Sequence, residues 1–268
     1  MLILLPPSEG KSAPRTGAPL DLESLLFPSL AGERTTAMGF LSSASSAPDA
    51  AEVLGVGASV LHDVEANKVL FDSPTAPAHK VFTGVLFDAL DYASLPESAR
   101  RRARENVLVF SGLFGVLALG DRVPNHRLSV TANLPGLGRM SSWWKQRLTP
   151  SLDALAENAG VIVDCRSGGY VAQWRAPAGL TVTVDVFQIR AGQRTVVSHF
   201  AKHTRGLVAR ELLLAGSRVV TSPETAAEVV ATAGSTGGPH EWTVDLVPAS
   251  GRKHASLQVT LPEQHTTV

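Results

Sequence analysis

A chain of 268 residues with 44% hydrophobic content can bury a full core, as one large domain or two small ones. Its 24 basic and 24 acidic residues cancel, so an anionic partner must be met by a local patch rather than by a basic molecule as a whole. The single Cys165 excludes an internal disulfide framework, no run approaches membrane-spanning length, and the apolar opening MLILLPP is too short for a secretory signal, so a soluble cytoplasmic protein with no membrane partner is expected.

Leu2–Leu5 reads as a short buried strand halted by Pro6-Pro7, and the loop SEGKSAPRTGAP follows. Residues 20–70 look mostly helical. Within them Asp49–Val53, Leu54-Gly55-Val56-Gly57 and Ala58–Leu70 read as helix, G-x-G turn, helix. Such a turn can set backbone N–H groups against a DNA phosphate without reading bases, which makes 49–70 a helix–hairpin–helix-like element and Gly55 and Gly57 candidate contacts. Val81–Thr83 and Val107–Ser111 read as strands. A second glycine turn, Leu134–Arg139, precedes a helix that carries Trp143 toward surface or pocket and Trp144 toward the core. Val161–Asp164 is another buried strand. TVTVDVFQI and RTVVSHF form an antiparallel pair, a helix covers Pro223–Thr232, and EWTVDLV pairs with SLQVTL at the end. Strands running both ways with helices between them predict a mixed α/β (α+β) fold: one domain over 1–268, with a central mixed sheet flanked by helices.

The charge pattern is least even between Val186 and Arg210, where Arg190, Arg194, Lys202, Arg205 and Arg210 occur with no Asp or Glu. Ala201–Leu214 reads as a helix closed by Gly216, so Lys202 and Arg205 share one face of its first turns. Cations there oppose the helix dipole by a few tenths of a kcal/mol each. An anion held between them, with backbone N–H groups assisting, would reverse that penalty.

Several standard motifs are excluded. Gly10-Lys11-Ser12 has the tail of a P-loop, but Leu5 stands where the first glycine belongs and Pro14 blocks the helix that must follow. There is no G-x-S-x-G elbow and no H-E-x-x-H. His199 and His203 have metal-ligand spacing, but no carboxylate accompanies them and Lys202 would repel a cation. No metal and no cofactor are expected.

FSGLFGVLALGDRVPNHRL (110–128), LLPPSEGK (4–11), VFTGV (81–85), SSWWKQRLT (141–149) and SHFAKHTRGLVAR (198–210) together resemble the YaaA family of peroxide-stress proteins, in the family's order and across essentially the whole chain. The family's blocks fall on Ser8, Glu9 and Lys11, on Thr83 and Gly84, on Ser111, Gly112, Gly115 and Asp121, and on Pro124 and Arg127. They continue on Trp144, Ser167 and Tyr170, and on Ser198, Lys202, Arg205, Gly206 and Arg210. The resemblance implies protection from hydrogen peroxide by limiting intracellular iron. It further implies a DNA-binding protein with a helix–hairpin–helix element and a positively charged cleft.

The residues have a logic of their own. Ser8–Lys11, Thr83-Gly84, Ser111-Gly112 and Ser167–Gly169 each follow a short apolar strand, and in an α/β sheet the loops after strand ends collect on one edge, where ligands sit. Lys11, Ser111, Arg127, Ser198, Lys202, Arg205 and Arg210 are therefore candidate anion or DNA contacts, and Glu9, Asp121 and Tyr170 are candidates for proton chemistry. DNA, bound without sequence preference, is the expected partner. An enzyme acting on a nucleotide-like or phosphorylated small molecule in the same cleft is the alternative. Cleft width separates them, since a duplex needs an open channel and a small substrate an enclosed pocket.

Overall fold

Three of the apolar runs, Leu2–Leu5, Val107–Ser111 and Ile162–Asp164, are buried at every position, as strands covered on both faces must be. The computed structural model describes residues 1–57, 60–197, 199–251 and 253–263. In chain order the strands are β1 (Leu2–Leu5), β2 (Ala76–Pro77), β3 (Val107–Ser111), β4 (Gly115–Ala118), β5 (Arg122–Val123) and β6 (Asn133–Leu134). They continue with β7 (Gly138–Arg139), β8 (Ile162–Asp164), β9 (Thr181–Arg190), β10 (Gln193–Val196), β11 (Thr243–Val247) and β12 (Ala255–Leu261). The helices are α1 (Ala31–Ser46), α2 (Ala50–Leu54), α3 (Leu61–Ala66), α4 (Ala78–Val81) and α5 (Val85–Leu90). After them come α6 (Glu97–Asn106), α7 (Met140–Ala156), α8 (Gly168–Val171), α9 (His199–Ala215) and α10 (Pro223–Ala233).

Among the described residues the main sheet has eight strands in the order β11-β12-β9-β8-β1-β3-β4, with β10 paired to β9 off that path. The inner run β12-β9-β8-β1-β3 is parallel, while β11, β4 and β10 join antiparallel. This is the mixed α/β architecture expected, and one continuous core runs from Leu2 to Val259. Its parallel strands bring the ends of β1, β3 and β8 to the same edge, so the Pro6–Lys11, Gly112–Phe114 and Cys165–Ser167 segments emerge side by side.

Two local expectations change. Val81–Thr83 is not a strand: Ala78–Val81 is a helical turn, and Phe82 makes a lone antiparallel bridge to Lys11. The helical turn that Pro77 leads into takes up Val81, which leaves only Phe82 extended to pair. Of the helix expected over 58–70, the described residues form α3 at Leu61–Ala66 and a 3-10 turn at Asn67–Val69, while residues 58 and 59 lie outside the described residues. The turn after Val107–Ser111 closes as a hairpin with β4, Ser111 standing opposite Gly115.

Gly206 shows why the A-K-x-x-R-G-L block needs its glycine. Helices α5 and α9 cross so closely that a Cβ here would fall on the Leu86 carbonyl oxygen and lie 2.8 Å from the Ala89 Cβ. In an unhindered helix Gly→Ala stabilises by about 1 kcal/mol. Here Gly206→Ala is expected to lower stability by roughly 1–3 kcal/mol, because overpacking against backbone outweighs propensity. Thermal unfolding checks the sign, and a more stable variant would show that the helices do not meet at this distance.

Candidate functional site

The Pro6–Lys11 loop is fixed from both ends. Pro6 and Pro7 stop β1, and the Ser8 hydroxyl donates to the Gly10 carbonyl at 2.6 Å while accepting from the Thr83 N–H at 3.0 Å. The Ser12 N–H donates to the Val81 carbonyl at 2.9 Å, which ties the far end of the loop to α4. Lys11 is thereby turned inward. Its Nζ donates to the carbonyls of Ser8 (3.1 Å) and Glu9 (3.4 Å) and sits 5.5 Å from the centre of the Phe82 ring. Burial, then the neighbouring Arg127 guanidinium, push the ammonium down to about 8, while Asp63 and Glu9 pull the other way.

Lys11 lines a cavity of about 220 Å³ with Gly55, Ser111, His126, Arg127 and Tyr170. Ser111 ends β3, and its hydroxyl accepts from the N–H groups of Leu113 (3.2 Å) and Phe114 (3.1 Å), holding the tight turn. The turn is also held from behind, where the buried Trp144 donates its indole N–H to the Gly112 carbonyl at 2.8 Å. Asn67, fully buried, grips the Arg127 backbone at both ends, accepting from its N–H and donating to its carbonyl at 2.8 Å each. The Arg127 guanidinium then reaches Asp63 at 3.3 Å and the exposed Glu9 at 3.7 Å. His126 bonds the Pro124 carbonyl through Nδ1 at 2.9 Å and packs edge-on to Phe82 and Phe114. Burial first, then Lys11, push its ring down to about 3, so it is neutral at physiological pH.

A second cavity of about 510 Å³ is lined by Thr83, Gly84, Cys165, Ser167, Lys202 and Arg205, and it shares Pro7, Ser8, Glu9 and Tyr170 with the first. The two spaces adjoin along that loop. Lys202 is exposed, whereas Arg205 is half-buried and donates Nε–H to the Val184 carbonyl at 2.9 Å. Cys165 is fully buried and its thiol is pushed up to about 12 by burial, which leaves it almost no thiolate at neutral pH. Burial likewise pushes the Tyr170 hydroxyl up to about 12. Beneath Tyr170, Arg166 donates twice to the Asp164 carboxylate, at 2.9 and 2.7 Å, and once to the Tyr170 carbonyl at 3.2 Å.

The cavities thus bring together Glu9, Lys11, Gly55, Ser111, Arg127, Tyr170, Lys202 and Arg205 from the expected set. Others lie apart. Asp121 lines neither cavity: its carboxylate accepts from the N–H groups of Leu26 (3.0 Å) and Ala118 (2.9 Å), and burial raises its pKa. Arg210 donates to the Leu90 and Asp91 carbonyls at 3.0 Å each, capping the C-terminus of α5. Ser198 lies outside the described residues, as does the side chain of His199.

Gly57 is exposed and lines neither cavity. At the turn itself Gly55 has φ 63°, and the Gly55 and Val56 N–H groups bond back to Glu52 and Ala51 at 3.1 and 2.9 Å. Those amides close α2 in a Schellman arrangement, so they are engaged within the chain rather than presented to a phosphate. Asp63, Asn67 and His126 carry no sequence signal that marks them for this site. The first two sit on a helical stretch that reads as an ordinary polar face, and His126 belongs to the P-N-H-R-L segment but has no ligand-like spacing. Among the described residues no group of three or more His, Cys, Asp or Glu is placed to hold a metal ion, and no helix is long and apolar enough to cross a membrane.

Comparison with known proteins converges on one family. A family model described as "Peroxide stress protein YaaA" matches residues 1–228. A UPF0246 protein of Streptomyces coelicolor is 41% identical over 272 aligned positions, covering 99% of this chain and 100% of that protein. A UPF0246 protein of Corynebacterium efficiens is 41% identical over 227 positions, covering 84% of this chain and 90% of its own. A more distant protein of Campylobacter jejuni is 28% identical over 78% of this chain and 82% of its own.

Proposed function

Because the chain belongs to the YaaA family of peroxide stress proteins, we propose that it protects against hydrogen peroxide by binding nucleic acid at the two adjoining cavities, through phosphates and without reading bases. Lower intracellular iron would follow from what is bound there, with no iron held by the protein itself. The observation that carries this reading is the gathering of Lys11, Arg127, Lys202 and Arg205 around one loop at the sheet edge where ligands of α/β proteins sit. Asp63 and Glu9 offset part of that charge, and the chain is neutral overall, so the grip is weak.

The size of the cavities favours a second reading, an enzyme for a nucleotide-like or phosphorylated small molecule. Spaces of about 220 and 510 Å³ match a small ligand, or one nucleotide displaced from its strand, better than an intact duplex. In that case Tyr170 and Glu9, at the shared wall, are the proton-handling candidates.

A mobility titration with duplex, mismatched and single-stranded DNA at two salt concentrations separates the readings. Nucleic-acid binding predicts dissociation constants on the order of micromolar, indifferent to sequence and weakened steeply by salt. No shift at any concentration would remove this reading and leave the small-molecule one.

A further inference from the structure

Lys11 is placed unlike a lysine whose work is to attract phosphate from a distance. A cation serving only as a point charge gains from standing in water near the cleft mouth, as Lys202 does. Lys11 instead lines the smaller cavity on a loop pinned by Ser8 to Thr83 and by Ser12 to Val81, its amine near a ring face and beside a second cation. Desolvation together with a neighbouring positive charge is the environment that turns a lysine into a nucleophile. The groups around it supply binding rather than competing chemistry: His126 is neutral and fixed by Pro124, and Arg127 is oriented by Asn67, Asp63 and Glu9.

We infer that the Lys11 amine forms an imine with a phosphate-bearing aldehyde, its Nζ bonding the carbonyl carbon while Arg127, Lys202 and Arg205 hold the phosphate. The inference rests on the reading of the cleft as a phosphate-binding site. The step balances without any oxidant or reductant. The neutral amine attacks the carbonyl carbon, the π pair moves to oxygen, and the two amine hydrogens leave with that oxygen as water. Two sources present this chemistry, a free aldose phosphate and a base-free deoxyribose within a DNA strand.

An amine titrating near 8 is about 10% neutral at pH 7, against about 0.03% for an ordinary lysine, an advantage on the order of 300-fold in reactive form. The protein has six lysines, at 11, 68, 80, 145, 202 and 253, so selectivity can be read directly. The test incubates the full chain with ribose 5-phosphate and cyanoborohydride at pH 7, then maps the reduced adduct by peptide mass spectrometry. Parallel arms use unphosphorylated ribose and a duplex containing one base-free deoxyribose.

The expected result is an adduct on the Lys11 peptide at least about 10-fold more abundant than on any other lysine peptide, lost in both Lys11→Arg and Lys11→Met, and much reduced with plain ribose. The Met1 amine, whose pKa burial also lowers, is distinguished by its own peptide. Equal labelling of all lysines, labelling of Met1 alone, or equal trapping of plain ribose overturns the inference. Covalent capture of the base-free duplex but not of ribose 5-phosphate assigns the source to DNA, and the converse assigns it to a free sugar phosphate. A protein that shifts intact duplex but traps neither aldehyde overturns the imine and leaves nucleic-acid binding standing. One that traps ribose 5-phosphate yet shifts no DNA overturns nucleic-acid binding alone.

Discussion

Replacing Asp164 with Ala is expected to cost roughly 3–5 kcal/mol, because it strands a buried guanidinium. The Asp164 and Arg166 side chains are 4% and 0% exposed, and the carboxylate takes two of the guanidinium's hydrogen bonds. What would remain to Arg166 is the Tyr170 carbonyl and the faces of Phe110 at 4.2 Å and Trp174 at 5.8 Å, which cannot neutralise a charge. For a chain of this size the melting temperature should fall by roughly 6–20 °C. The double variant Asp164→Val with Arg166→Met should recover much of the loss, since buried pairs are often replaceable by apolar residues of similar volume. A single variant within about 1 kcal/mol of wild type would show that Arg166 has another anionic partner or reaches water. The pair sits directly before Ser167–Tyr170, so its loss should also loosen the wall shared by the two cavities.

Acid should destabilise the fold well above the range where carboxylates titrate. His126 titrates at about 3 in the folded chain and near 6.5 unfolded, so it is neutral when folded and takes up a proton on unfolding. A group with its folded pKa depressed gives its full contribution above pH 6.5 and loses it as pH falls toward 3. The slope is about 1.4 kcal/mol per pH unit, and the whole loss is on the order of 5 kcal/mol. His79, pushed down to about 4 chiefly by burial, acts in the same direction but is half-exposed and weighs less. Denaturant unfolding at pH 7, 6, 5 and 4 measures the slope. His126→Phe, which keeps an aromatic ring between Phe82 and Phe114, should flatten it. A slope unchanged in His126→Phe would mean that the ring is charged in the folded protein.

Much of this arrangement was legible in the sequence, for reasons that can be named. Leu2–Leu5, Val107–Ser111 and Ile162–Asp164 are apolar at nearly every position, and runs buried on both faces leave little choice but a central strand. Once those strands are parallel, the loops after them must meet, which is why chain order alone groups Lys11, Ser111 and Tyr170. Sequence spacing failed where a residue's role depends on a distant partner. Arg210 looked like part of a basic face, yet its guanidinium caps a helix some 120 residues earlier in the chain. Asp121 stood beside cationic blocks but serves the Leu26 and Ala118 amides. The glycines at 55 and 57 correctly marked a turn. Whether its amides face outward depends on how α2 closes, and the Schellman bonds from Gly55 and Val56 are invisible in a G-x-G pattern.

The claim that joins fold to function is that the cations gathered at the two adjoining cavities bind phosphates. It is tested most directly by the salt dependence of DNA binding in the wild type and in the double variant Lys202→Ala, Arg205→Ala, with thermal unfolding confirming that the variant is folded. Each phosphate neutralised contributes about 0.9 to the slope of log K against log salt for a duplex. The double-variant slope is expected to be shallower by about 2, with affinity reduced equally for every sequence tested. Binding that does not vary with salt, or a folded double variant with the slope of the wild type, would contradict it.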